Sequence, residues 1–123
     1  MRIGLFLHEV KPEFDLENII HLAGDEMVGY SSPYPLPFLS NKLAFSPTPM
    51  DLLVCCDLAI ILSNHQFFSE IPRFAIRRGV NVFFGNVSSY APEFLAEVNQ
   101  LAAEIGAKVG FGNSGFNIFE KSQ

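Results

Sequence analysis

The sequence has no tryptophan, only two cysteines and no cluster of basic residues, and no apolar run approaches the roughly eighteen residues that a membrane span needs. Each absence removes a class of protein. Without a long apolar run no membrane partner is expected, and no charged stretch leading into an apolar one suggests a signal peptide. Eight Lys and Arg against thirteen Asp and Glu leave a net charge of -5. Nucleic-acid affinity comes mainly from neutralising phosphates, so no nucleic-acid partner is expected either. Cys55 and Cys56 are adjacent. A bond between them would close no loop, which points to a reducing, cytoplasmic setting.

What is present is material for a core. The chain has 123 residues, 49% of them apolar, which fits one domain, 1–123, able to bury a core without disulfides or metal. Thirteen phenylalanines stand in for the missing tryptophan; such bulk fills cores and implies no function.

The strongest pattern runs from Asp57 to Gly85. DLAIIL (57–62) is a short apolar run with β-branched residues, the mark of a strand buried on both faces of a parallel sheet. Ser69 can cap a helix with Pro72 in its first turn, Phe67, Ile71, Phe74 and Ala75 on one face, Arg77 and Arg78 near its end and Gly79 beyond it. VNVFF (80–84) follows as a second strand. Strand, helix and strand within about thirty residues make a βαβ unit, whose strands must be parallel.

The same alternation extends in both directions. RIGLFL (2–7) predicts a first strand, and Pro12 to Ala23 a helix with Leu16, Ile19, Ile20 and Ala23 inward and Gly24 as its stop. EMVGYS (26–31) predicts a second strand. Prolines at 33, 35 and 37 then enforce an extended, exposed loop. Short pieces follow: helical turns over 38–43, a third strand over 44–46 and a helix over 49–55. Beyond VNVFF, a helix from Ser89 or Tyr90 to Ile105 has Leu95, Val98, Leu101, Ala102 and Ile105 inward and Glu93, Glu97, Gln100 and Glu104 outward. Gly106 ends it, and AKVGFG (107–112) is the last strand. The implied fold is α/β: a doubly wound parallel sheet in three layers, with sites beyond the carboxyl ends of its central strands.

In order and spacing, IGLF, MVGYSSP, CDLAIIL, AIRRGVNVFF, LAAEIGAKVGFG and the later FN resemble the N-terminal Rossmann domain of the glucose-fructose oxidoreductase and inositol dehydrogenase family (Gfo/Idh/MocA). The resemblance covers essentially the whole chain. It implies the strand order 3-2-1-4-5-6 and a domain that binds NAD or NADP, completed in the family by a larger α/β domain holding the substrate.

Three departures separate the chain from that family. Where the family carries GxGxxG after the first strand, alignment from Gly4 offers Leu7, Glu9 and Pro12, and Glu9 puts a carboxylate where pyrophosphate charge would lie. At the end of the second strand, where an acidic residue takes the ribose hydroxyls, stand Ser31 and Ser32. Asn86 occupies the position of the family's lysine beside the nicotinamide, and an amide carries no proton near neutral pH. The expectation is a degenerate, stand-alone Rossmann domain, leaning away from an enzyme, with no catalytic residue and no cofactor. The alternative is an NAD- or NADP-dependent oxidoreductase completed by a partner chain.

If a dinucleotide or another ligand binds, the candidate positions are Gly4, Leu7, His8, Glu9, Ser31, Ser32, Ser63, Asn64, His65 and Asn86. In the strand order given, His8 and Glu9 close a strand beside the one closed by Asn64 and His65. Two histidines and a carboxylate resemble an acid/base or metal constellation; equally, each is an ordinary residue at a loop start, and no metal is assigned. His21 is expected at or near the surface. Cys55 and Cys56 have no neighbouring cation in sequence and read as structural. The last strand and tail, through Phe111, Phe116, Ile118 and Phe119, form a candidate contact for a second copy or another protein, or fold back on the domain.

Overall fold

The structure, a computed structural model, describes residues 1–112. Among them six parallel strands form one sheet: β1 (Ile3–Phe6), β2 (Met27–Ser31), β3 (Phe45–Ser46), β4 (Leu58–Ile61), β5 (Asn81–Phe84) and β6 (Val109–Phe111). Their order is β3-β2-β1-β4-β5-β6. Phe6 at the end of β1 lies opposite Ser31 on one side and Ile61 on the other, so β1 is central.

Helices cover both faces, which gives the three-layer, doubly wound α/β arrangement. On one face α1 (Leu16–Ala23) and α2 (Pro37–Ser40) close over Leu5, Leu7, Tyr30, Ile60 and Phe83. On the other, α3 (Pro49–Leu53), α4 (Ile71–Arg77) and α5 (Pro92–Ile105) cover Phe6, Ala59, Ile61, Val82 and Phe84. Successive residues of β1 and β4 point to opposite faces, and both faces are core; hence the unbroken apolar runs.

Glycines allow two close approaches. A Cβ on Gly4 would stand 2.5 Å from Cys56 Sγ, and one on Gly110 would stand 2.7 Å from the ring of Phe83. Gly4 therefore lets α3 come down on β1. Cys56 is buried and donates to the Leu52 carbonyl (3.1 Å), and burial pushes its thiol pKa up to about 12; Cys55 is exposed.

Several local expectations are corrected. Pro12 starts a single 3-10 turn (Pro12–Phe14), and α1 begins only at Leu16, because Asp15 adopts a left-handed conformation with φ 58°. Ser69 does not cap α4: it ends a 3-10 turn (Gln66–Phe68), and Glu70 precedes the helix. Phe74 and Ile105, expected inward, are 38% and 42% exposed; Phe74 instead lies under the Arg78 guanidinium. The proline loop is not exposed throughout, since Leu36 is buried and its N–H donates to the buried Tyr30 hydroxyl (2.9 Å). His21 is exposed. Phe111 stacks on Phe84 of its own sheet, with ring centroids 5.7 Å apart; Phe116, Ile118 and Phe119 lie outside the described residues.

Candidate functional site

Crossovers leave β1 and β4 toward opposite faces, which opens a crevice above their carboxyl ends. The structure brings His8, Glu9, Ser63, Asn64 and His65 together there. The His8 backbone N–H donates to Ser63 Oγ (3.0 Å), tying the two strand ends across 55 positions of sequence. The imidazoles of His8 and His65 stack, with centroids 4.6 Å apart and planes inclined by 29°. His65 Nδ1 accepts from the Phe67 N–H (3.0 Å), so the neutral ring keeps its proton on Nε2. His8 Nε2 is 3.5 Å from Glu9 Oε1, which also takes Lys11 Nζ at 3.1 Å. His8 Nδ1 is buried with no partner among the described residues.

Burial holds the His8 pKa below its ordinary value; Glu9 pulls it back upward, while His65 and Lys11 push it further down. His8 is therefore neutral near pH 7. Stacked rings do not aim their nitrogens at one point, and among the described residues no three His, Cys, Asp or Glu are arranged to hold a metal ion.

Beside the histidine pair lies a cavity of about 300 Å³, between the starts of α4 and α5. Ser63, Asn64 and His65 form one end, and Phe68, Tyr90 and Phe94 supply aromatic wall. The Tyr90 and Phe94 rings stack 5.3 Å apart, and the Arg73 guanidinium sits over Phe94 at 4.9 Å. Arg73 also grips Glu97 through Nε (2.6 Å) and Nη2 (3.1 Å), which keeps it charged. Asn64 Nδ2 donates to the Ser89 carbonyl (2.6 Å), fastening the rim. Burial pushes the Tyr90 phenol pKa up, and its hydroxyl has no hydrogen-bond partner among the described residues. Sequence reasoning reached Ser63, Asn64 and His65 but missed Arg73, Tyr90 and Phe94. The available signal was the pair Tyr90 and Phe94, two aromatic residues four positions apart around the start of α5.

The other candidates lie elsewhere. Gly4 and Leu7 are buried in β1 and its extension, packed in the core rather than facing the crevice. Ser31 and Ser32 are fully buried, with hydroxyls unpartnered among the described residues, so neither is open to a ribose. Asn86 joins the site only through its carbonyl, which accepts from the Ser89 N–H (3.1 Å) and hydroxyl (2.7 Å). The turn after β1 carries the Glu9–Lys11 pair, and the start of α1 carries Asp15 and Glu17.

No family model and no curated protein matches the chain. Solved structures do. The chain is similar to a homoserine dehydrogenase of S. aureus, at 15% identity and a TM-score of 0.71, over 90% of this chain and 32% of that one. A UDP-N-acetylglucosamine 3-dehydrogenase from Acidithiobacillus ferrooxidans matches at 15% identity and 0.69, over 90% and 37%. A probable oxidoreductase, yhhX, matches at 16% identity and 0.70, over 90% and 35%. The fold is the Rossmann fold of dehydrogenases. At such identities the likeness carries the backbone alone, and this Rossmann domain spans about a third of the length of the structures it resembles.

Proposed function

We propose that this Rossmann domain has given up dinucleotide-dependent hydride transfer and works as a binding or interaction module. The observation that carries the reading is the turn after β1. A pyrophosphate bound there needs close backbone N–H groups and positive potential; this turn offers the Glu9 carboxylate, held by Lys11 at 3.1 Å, and acidic residues at the start of α1. Asn86, at the position where the resembled family carries lysine, has no proton to give.

The second reading is an NAD- or NADP-dependent oxidoreductase whose other half comes from a partner chain. It is favoured by the backbone likeness to dehydrogenases over 90% of the chain. Thermal unfolding with millimolar NAD, NADH, NADP and NADPH separates the two. A bound nucleotide at a hundred times its dissociation constant adds about 2.7 kcal/mol, several degrees for a domain of this size. The expected result is no shift with any of the four; a clear shift with one replaces the first reading by the second.

A further inference from the structure

The cavity beside the histidine pair gathers hydrogen-bond donors and aromatic rings on one wall. In a protein of net charge -5, among the described residues no Asp or Glu lines it, and Arg73 is its one cation. Four of its polar groups, on Ser63, His65, Arg73 and Tyr90, carry protons with no assigned acceptor among the described residues. Ser63, 2% exposed, accepts from the His8 N–H, so its own hydroxyl proton is unassigned. His65 accepts at Nδ1 and presents Nε2–H. The hydroxyl of the half-buried Tyr90 accepts and donates no hydrogen bond among the described residues. Arg73 uses Nε and one Nη2 proton on Glu97 and keeps three of its five N–H groups.

Ser63 is buried and His65, Arg73 and Tyr90 are half-buried, so these donors are held along one wall where a ligand oxygen can accept from them. Phe68 and Pro72 provide an apolar wall beside those donors. A cavity of about 300 Å³ is at the small end of ligand sites. We infer that this cavity binds a small organic carboxylate with a planar apolar body, its oxygens toward Ser63, His65, Arg73 and the Tyr90 hydroxyl and its body against Phe68. This names the ligand class for the binding-module reading and rests on it. Arg73, although paired with Glu97 outside the lining, is the one charged side chain lining the cavity and disfavours a cation there, and a neutral amide of the same shape brings one acceptor oxygen and loses the charge-assisted bonds.

The test is a chemical-shift titration of the folded chain at low ionic strength with three isosteric probes: benzoate, benzamide and benzylamine, each to millimolar concentration. Benzoate is expected to move the amides of Ser63–Ser69 and Tyr90–Phe94, binding about ten-fold tighter than benzamide. Benzylamine is expected to leave them unmoved. Tyr90→Phe, which keeps the ring packing, should weaken benzoate about five-fold. Arg73→Gln, which can still hydrogen-bond Glu97, should abolish the preference for benzoate over benzamide. Benzylamine binding as well as benzoate, no binding by any probe, or variants identical to the parent would overturn the inference. Nucleotides titrated into the same sample report separately at the amides of Glu9–Lys11. Movement there sinks the binding-module reading, whereas silence there with no benzoate response sinks the ligand class alone.

Discussion

At the residue scale, His8 couples the site to pH. Its folded pKa lies below the ordinary histidine value of 6.5, burial being the largest cause. As pH falls through 6.5 the unfolded chain takes up a proton that the folded chain resists, so stability declines until the folded pKa is reached and is fully present above pH 6.5. Urea midpoints at pH 7.5 and 5.5 should therefore fall more for the parent than for His8→Phe, which keeps an aromatic ring against His65 and removes the titration. Equal losses would place the acid sensitivity elsewhere. Gly4 makes the second residue-scale prediction. Gly4→Ala forces a Cβ within 2.5 Å of Cys56 Sγ and should cost about 1–3 kcal/mol in chemical denaturation. Adding Cys56→Ala should recover part of that loss, because the clashing sulfur is gone; a strictly additive double mutant would show that strain is not the cause.

Among the elements, α5 ends where Gly106 turns into the left-handed region with φ 93° and its N–H caps the Ala102 carbonyl (2.8 Å). Gly106→Ala should cost about 1 kcal/mol, measured by thermal unfolding, and Gly106→Asn less. Regular elements of this kind were legible in sequence: DLAIIL and VNVFF read as buried strands because both faces of the sheet are covered, and Gly106 read as a stop because only it fits the turn. The start of α1 was not. Pro12 suits a first helical turn, yet the left-handed Asp15 interrupts the chain, and no propensity announces that choice. Phe74 and Ile105 fit the apolar periodicity but are exposed, which periodicity alone does not reveal. For the site, strand order was enough to place His8 beside His65. The cavity escaped because Arg73 and Phe94 belong to two helices, whose apposition is a tertiary fact.

On the scale of the whole molecule, stability is not spread evenly over the sheet. β1 and β4 are flanked by strands on both sides and buried on both faces, whereas β3 has two half-buried residues at the edge. Native-state hydrogen exchange should find the slowest amides among Leu5, Phe6, Ile60 and Ile61, and exchange faster by orders of magnitude at Phe45 and Ser46. Uniform protection across the sheet would contradict this. The same strand order governs assembly in time. β1 pairs β2, which follows it soon in the chain, but Arg2 reaches its partner Asp57 only 55 positions later. At ribosomal rates that interval is roughly three to eleven seconds. The switch-point crevice is therefore the last part of the centre to close as the chain emerges, and until β4 arrives the open edge of β1 is what a chaperone would meet.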